Sequence, residues 1–144
     1  LHLTLLKDGC VVVEDNGRGV PVDIHPTKKI PTARVVYTVL HAGGKFTSHG
    51  GYTSAGGLHG VGASVVNALC TWCKVMVHDG KDVWSMTFED GGSKIGKLEK
   101  VGKTNHTGSI VSFKPDPSIF KSVHLFYQSK GKVCLYIPLI LPEN

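Results

Sequence analysis

Large apolar residues alternate with smaller or polar ones between 83 and 89, and this pattern predicts a β-strand with one buried face and one wetter face. The apolar stretch 74–78 precedes it, and Asp79-Gly80 between the two is the strongest short hairpin signal. A second hairpin is predicted at the start of the chain, where a weakly alternating segment and a turn precede a β-branched run. The predicted strands are 1–6, 10–13, 74–78, 83–89, 95–101 and 109–113.

Apolar residues recur at three- and four-residue steps in two other segments, which predicts two helices. Pro31 suits the first position of the earlier helix, and Gly43-Gly44 ends it; the later helix is predicted to begin at about Leu58, with Gly60 and Gly62 in its first turn. Helices and antiparallel strands together predict an α+β fold, in which one layer of helices covers a sheet. The predicted apolar faces are Ala33, Val36, Tyr37 and Leu40 in the first helix, and Leu58, Val61, Val65 and Leu69 in the second.

The composition fits one domain with a hydrophobic core: the chain has 144 residues, of which 41% are hydrophobic and 19% are charged. A formal net charge of +5 and a pI near 9.1 make it mildly basic, which suits nucleotides and nucleic acid but falls short of a polybasic arm. Because no apolar run could span a bilayer and the first residues lack a signal-peptide pattern, we expect a cytoplasmic location without membrane contact. The chain starts without Met and inside a predicted strand, which is typical of a fragment.

Four cysteines could form two disulfides, but a core-forming domain of this size does not require them. Cys70 and Cys73 have the Cys-x-x-Cys spacing, yet a zinc site would need a second ligand pair, and Cys10 and Cys134 each stand alone. We therefore predict two small buried residues at a helix exit, and no metal site.

Glycine is dense where the second helix begins, over Gly56–Gly62. Glycine lowers helix propensity by roughly 1 kcal/mol per residue, but it allows a ligand to approach the backbone where free N–H groups and the helix dipole favour an anion. The segment is therefore interpreted as a phosphate cradle. The alternative is a flexible loop tip that packs against a neighbouring element.

A carboxylate also stands at the end of a buried strand: Asp15 precedes the loop 16–21, which contains two glycines and Pro21. An ionised carboxylate accepts strong hydrogen bonds, so Asp15 could bind an exocyclic amine such as that of adenine, and Pro21 could offer an apolar edge to the base. The alternative is an ordinary Asp-Asn-Gly turn. Between the two helices, the glycine- and serine-rich segment 45–55 has the composition of a mobile lid with Lys45 at its base.

Three blocks in this order, Glu14–Pro21, Thr38–Phe46 and Gly56–Leu69, resemble the ATPase domain of bacterial type II topoisomerase B subunits. That family belongs to the GHKL superfamily, which it shares with the ninety-kilodalton heat-shock chaperones, sensor histidine kinases and a mismatch-repair ATPase. The resemblance covers about residues 1–120 and is greater to topoisomerase IV than to gyrase. It implies a GHKL-type ATP-binding domain of the Bergerat fold over 1–120, truncated at its N-terminus, followed by a divergent tail over 121–144.

The resemblance also implies a set of ATP-binding residues. Asp15 would bind the adenine amine, Gly19 and Ser109 would hold a water beside it, and Arg18 and Pro21 would wall the pocket. His41 and Tyr52 match the family pattern but could be packing residues. Phosphate binding is implied for Lys45 and for the backbone of Gly57, Leu58, His59, Gly60, Val61 and Gly62.

For the function, the resemblance implies ATP and Mg²⁺ as cofactors, DNA and the topoisomerase A subunit as partners, and dimerisation of B subunits on ATP binding. In the family a Glu acts as general base and an Asn holds Mg²⁺, both on a helix that precedes the strand where this chain begins. Glu14 is not that base, because neighbouring residues of a strand point to opposite faces. The chain therefore contains no predicted catalytic residue, and we expect it to hydrolyse ATP poorly or not at all. Two alternatives stay open: a nucleotide-binding module without turnover, and a chaperone- or kinase-type relative.

Overall fold

The computed structural model describes residues 1–40 and 61–120; predictions that fall on 41–60 or 121–144 lie outside the described residues. The described chain forms two helices and seven strands, with a short 3₁₀ turn at Asp90–Gly92. The strands Cys70–Asp79 and Thr107–Pro115 are longer than the predicted 74–78 and 109–113. In chain order the elements are β1 His2–Leu5, β2 Val11–Asp15, α1 Thr32–Thr38, α2 Gly62–Ala68, β3 Cys70–Asp79, β4 Asp82–Glu89, β5 Lys94–Ile95, β6 Glu99–Lys103 and β7 Thr107–Pro115.

Within the described residues the strands form one sheet in the order β1-β2-β7-β3-β4-β5, with β6 also paired to β4. Every pair is antiparallel. The last strand, β7, inserts between β2 and β3, so the end of β2 and the start of β7 become neighbours. This pairing places Asp15 directly opposite Ser109, and Ser109 opposite Val77 of β3.

The hydrophobic core lies between the two helices and one face of this sheet. Its buried strand residues alternate along β3 and β4 and pack against Ala33 and Tyr37 of α1, with the Tyr37 and Phe88 rings 5.7 Å apart. The α+β prediction, with helices covering one face of a mostly antiparallel sheet, is confirmed. The predicted alternation in β4 is also largely confirmed, although Val83 on the opposite face is buried too. The sheet residues of the core are Cys73, Val75, Val77, Met86 and Phe88.

The first helix differs from its prediction at both ends. Pro31 is the N-cap with extended ψ rather than the first helical residue, and the helix ends at Thr38, before Gly43-Gly44. Its buried face includes Val35, whereas Leu40 lies beyond the helix and is 61% exposed. The prediction therefore extended the apolar helical pattern too far towards the C-terminus.

The second helix was predicted to start too early and with the wrong face inwards. It begins at Gly62, with Val61 as its N-cap, and Ser64 and Asn67 are its buried residues, whereas Val65 is 39% exposed. Local and interhelical hydrogen bonds hold these two side chains: the Ser64 hydroxyl donates to Val61 O at 3.1 Å, and Asn67 Nδ2 donates to Tyr37 O at 2.9 Å. Asn67 Oδ1 has no hydrogen-bond partner among the described residues. Polar contacts, rather than the apolar period, orient this short helix.

The predicted strand 95–101 is interrupted and forms β5 and β6. Gly96 lies between them, where its N–H donates to Thr87 O at 2.8 Å and its Cα faces the Thr87 side chain too closely for a larger residue. Cys70 and Cys73 are buried as predicted, although both lie in β3, and with Cys10 they are free thiols in the described chain. No described helix is long and apolar enough to cross a membrane.

Candidate functional site

Asp15 and Ser109 face each other at the edge of the sheet where β2 ends and β7 begins. Both lie on the helix-covered side, because they are in register with Val77, which belongs to the core. Ser109 is 6% exposed, whereas Asp15 is open to solvent. The Asp15 carboxylate accepts a hydrogen bond from Gly17 N through Oδ1 at 2.8 Å, and a carboxylate has a second oxygen for a further donor. The Asp15 carboxylate, a hydrogen-bond acceptor, and the Ser109 hydroxyl therefore lie next to each other on the sheet.

The loop after β2 returns over this place because of Gly19. Gly19 has φ +79°, a backbone conformation that favours glycine, and a Cβ there would lie 3.0 Å from Val77 Cγ1 and 3.1 Å from the carbonyl oxygens of His78 and Gly108. The loop backbone thus rests directly on the ends of β3 and β7. The structure brings together three of the predicted site residues, Asp15, Gly19 and Ser109.

Gly108 allows the start of β7 to approach the end of β2 closely. Its φ is +155°, and a Cβ at this position would overlap the carbonyl oxygen of Asp15. A side chain at Gly108 would therefore push β2 away from β7 just where Asp15 meets Ser109. In the sequence Gly108 marked only a strand boundary, because its close approach depends on the pairing of two strands that are distant along the chain.

Of the remaining loop residues, some are exposed to solvent and others pack against the core. Arg18 and Pro21, the predicted walls, are exposed on the loop. Val20 and Val22 are partly buried and pack against the core, so they hold the loop on the sheet. This anchoring role was not predicted, and the alternation of Val20 and Val22 around Pro21 was the signal that could have revealed it.

Tyr37 of α1 lies beneath the site. Burial, followed by electrostatic interactions with Cys73 and Asp15, raises the pKa of the Tyr37 phenol, so the hydroxyl stays protonated. This residue was predicted only as part of an apolar helix face.

A pocket of about 260 Å³ opens at the same strand ends but mainly on the other face of the sheet. Glu14 and Ile110 line it, and they alternate with Asp15 and Ser109 along β2 and β7, so their side chains point away from the helices. The pocket therefore adjoins the candidate site at Asp15 but lies mainly on the face of the sheet opposite Ser109. Its lining is Leu1, His2, Glu14, Asp15, Asn16, His78, His106, Thr107, Gly108 and Ile110.

Most of the predicted phosphate-binding segment lies outside the described residues, namely Lys45, Gly57, Leu58, His59 and Gly60. Of its last two residues, Val61 is the N-cap of α2 and Gly62 is the first helical residue. No described atom lies within 4 Å of a Cβ built on Gly62, so the backbone there is accessible. The phosphate-binding role of this segment stays a prediction.

Metal ligation finds no support in the described chain, where no group of three or more His, Cys, Asp and Glu side chains could hold a metal ion. None of the described residues is therefore assigned to Mg²⁺.

Comparison with known proteins gives matches over most of the chain. Residues 1–118 match the family model described as histidine kinase-, DNA gyrase B- and HSP90-like ATPase. The chain is 53% identical over 122 residues to the B subunit of DNA topoisomerase 4 from Staphylococcus aureus (strain MW2), an alignment that covers 85% of this chain and 18% of that protein. The corresponding protein of Staphylococcus epidermidis is 53% identical over 126 residues, with 88% and 19% covered.

Among solved structures, the 43K ATPase domain of Thermus thermophilus gyrase B in complex with an aminocoumarin superposes with a TM-score of 0.64 at 38% identity. The superposition covers 82% of this chain and 28% of that one. The chain thus spans about a fifth of the length of the curated relatives it matches.

Proposed function

The chain belongs to the histidine kinase-, DNA gyrase B- and HSP90-like ATPase family, and we propose on this premise that it is the ATP-binding part of a type II DNA topoisomerase B subunit. The resemblance to topoisomerase B subunits is confirmed by the identity to the staphylococcal proteins and by the superposition on the gyrase B domain. The activity of the whole parent protein is part of the proposal, because the chain covers only a fifth of its relatives.

The observation that carries the proposal is the convergence of Asp15, Ser109 and Gly19 at one edge of the sheet. The free oxygen of Asp15 would accept the adenine amine, and the Ser109 hydroxyl with the Gly19 backbone would hold a water against the base. Arg18 and Pro21, exposed on the same loop, would form its outer wall. A carboxylate selects adenine over guanine, because it accepts from an amine and repels a carbonyl oxygen.

We place the phosphates at Lys45 and along the backbone of 57–62. Support comes from the accessible backbone at Gly62 and from the glycine-rich sequence before it. Mg²⁺ is proposed as the companion of ATP, where it would neutralise phosphate charge during transfer.

We further propose that this chain binds ATP but turns it over slowly or not at all. Glu14 is the acidic residue nearest to Asp15 in sequence, and it faces the opposite side of the sheet. Strand passage of DNA, association with an A subunit and ATP-dependent dimerisation would belong to the complete parent, and a cytoplasmic location follows from the same proposal. A binding module without turnover remains the second candidate. A chaperone- or kinase-type role is disfavoured by the 53% identity to topoisomerase subunits.

Calorimetric titration of the chain with ATP tests the proposal. We expect saturable binding that Asp15→Ala weakens by at least about tenfold, because a hydrogen bond to a charged group is lost. Asp116→Ala is the matched control, since Asp116 makes the same backbone contact two residues ahead, at the far end of β7. Unchanged ATP affinity in Asp15→Ala would refute the site. Steady turnover by the 144-residue chain would refute both the proposed lack of turnover and the module without turnover.

A further inference from the structure

We propose that Asn67 is a positioning residue of the ATP site, held in place by the end of α1 and by the turn Asp90–Gly92. It sets where the start of α2, at Gly62, lies relative to the proposed adenine acceptor Asp15. The inference rests on the proposed function, in which the phosphates bind along the backbone up to Gly62. Asn67 itself is not expected to touch the nucleotide, so it would act through α2.

The Asn67 side chain contacts the backbone of two other elements. It is 2% exposed, and its Nδ2 donates to the carbonyl oxygen of Tyr37, in the last turn of α1, at 2.9 Å. Gly92 packs on the same amide so closely that a Cβ there would lie 2.5 Å from Nδ2. Because Gly92 has φ +84°, glycine suits both this backbone conformation and the small space. One amide group therefore joins α2 to α1 and to the turn after β4.

The other side chains of α2 give it little apolar anchoring. Ala63 packs on the core with a single methyl group, whereas Val65 is 39% exposed. The Ser64 hydroxyl donates to Val61 O, at the start of the same helix, so this bond does not reach another element. The placement of α2 against α1 therefore depends strongly on the Asn67 contact.

The Asn67 amide carries a cost that packing alone does not explain. Its Oδ1 is buried without a hydrogen-bond partner among residues 1–40 and 61–120. A buried polar atom without a partner is unfavourable, so an apolar side chain of similar size would suit the core better. Exceptions of this kind occur at functional sites, where the position of an element matters more than stability. The Nδ2 contact with Tyr37 is the feature that an apolar residue could not supply.

This contact links the proposed phosphate-binding end of the site to the core. The Tyr37 ring lies 5.7 Å from the Phe88 ring of β4, so the end of α1 is anchored against the sheet. Asn67 follows Gly62 by five residues, which is about 7.5 Å along a helix. The bond at Asn67 therefore restricts the orientation of α2 and, with it, the position of Gly62.

Loss of the contact should affect the two parts of the site unequally. The C-terminal end of α2 would still be held, because Asp116 N donates to Leu69 O at 3.0 Å. The helix could then pivot about this end, and its start at Gly62 would move most. Asp15 and Ser109 would stay in place, since they are paired across β2 and β7. Binding of the triphosphate should suffer, whereas binding of the adenine should not.

Comparison of ATP with adenosine tests this positioning role. Asn67→Ala should raise the Kd of ATP, measured by calorimetry, at least about fivefold, the lower end of usual coupling between sites. The Kd of adenosine, measured by NMR titration because it lacks the phosphate contacts, should stay unchanged. Thr71→Val is the matched control, because it also removes a side-chain donor from a backbone carbonyl, that of Lys114, but between β3 and β7. Unchanged ATP affinity in Asn67→Ala, equal losses for both ligands, or an equal ATP loss in Thr71→Val would overturn the role of Asn67.

A second variant moves the Asn67 amide without changing α2. Gly92→Ala would place a Cβ against Nδ2 and displace it from Tyr37 O. Gly9→Ala is the matched control, because Gly9 has φ +83° and no described atom lies within 4 Å of a Cβ there, so the backbone strain is alike but no group is displaced. We expect Gly92→Ala to reproduce the selective loss of ATP affinity and Gly9→Ala to leave it unchanged. Equal effects of the two variants would contradict the inference.

NMR spectra without nucleotide show whether α2 moves. We expect the amide signal of Gly62 to shift in Asn67→Ala and in Gly92→Ala, and that of Ser109 to stay. An unshifted Gly62 signal would overturn the inference even where ATP binds. If the wild type binds ATP and both variants bind it equally well, only the inference fails. If the wild type binds neither ATP nor adenosine, the proposed function fails, and the role of Asn67 in ATP binding fails with it.

Discussion

Replacing Asp15 by Asn should reverse the base preference of the site as well as weaken ATP binding. Oδ1 of Asp15 already accepts the Gly17 N–H at 2.8 Å, so the second oxygen is the one available to the adenine amine. Asn has a single acceptor. If that oxygen keeps the Gly17 bond, the Asn amide group meets the adenine amine donor against donor, whereas it can donate to the carbonyl of hypoxanthine.

The magnitude follows from the bond that is lost. Hydrogen bonds to charged groups contribute about 1.5–3 kcal/mol, which corresponds to roughly 10- to 150-fold weaker binding of ATP. ITP, which carries a carbonyl in place of the amine, should lose much less or gain. Calorimetric titration of both proteins with both nucleotides gives four Kd values. The ratio of the ITP Kd to the ATP Kd should be above one in the wild type and below one in Asp15→Asn.

The control is Asp116→Asn, because Asp116 Oδ1 accepts the Ser118 N–H at the same 2.8 Å and lies beyond the far end of β7. It tests whether loss of charge in an equivalent turn changes ATP binding through stability alone. The proposed role of Asp15 is refuted if a folded Asp15→Asn protein keeps its ATP affinity and base preference, or if Asp116→Asn loses affinity to the same extent.

Three further predictions concern the core, the helix start and the thiols. Phe88→Ala should lower the free energy of unfolding, measured in urea, by about 3–5 kcal/mol, because Phe88 is 0% exposed. Val101→Ala, at a position 55% exposed, should change it by no more than about 0.5 kcal/mol. Similar losses at both positions would contradict the described packing. Gly62→Ala should stabilise the fold by about 0.5–1 kcal/mol, since Gly62 is helical with open space around it. The same variant should nevertheless weaken ATP binding. Unchanged ATP affinity would remove Gly62 from the proposed phosphate cradle. Burial raises the pKa of Cys70 to about 11 and that of Cys73 to about 12, above their ordinary value of 9.0. Because the unfolded chain releases these protons at lower pH than the folded one, the free energy of unfolding should fall as pH rises from 9.0 towards 11. An equally steep fall in a Cys70→Ala/Cys73→Ala double variant would assign the effect to other groups.

The strands were predictable because their signals are local. Alternating side chains and the Asp79-Gly80 turn lie within a few residues of one another, so the β3–β4 hairpin could be derived from the sequence alone. Asp15 and Gly19 were found for the same reason, as parts of one short loop. The position of Ser109 beside them was not predictable from local signals, because it depends on β7 inserting between β2 and β3. Only the family resemblance indicated that Ser109 belongs to the same site. The close packing of Gly108 on Asp15 had no local signal.

The buried face of α2 illustrates a limit of hydrophobic patterns in short helices. Tyr37 belongs to the last turn of α1, where carbonyl groups lack partners within the helix, and Asn67 Nδ2 supplies the missing donor. An unpaired buried carbonyl costs about 1–3 kcal/mol, whereas leaving Val65 39% exposed forgoes only about two-fifths of the roughly 1.5 kcal/mol gained by full burial. The hydrogen bond therefore decides the orientation, although Asn67 Oδ1 has no hydrogen-bond partner among the described residues. That remaining acceptor reduces the advantage without reversing it, because under-satisfied acceptors are better tolerated than orphaned donors. In a seven-residue helix one such contact outweighs two turns of apolar spacing, and no property of the α2 sequence alone shows that the end of α1 needs a donor.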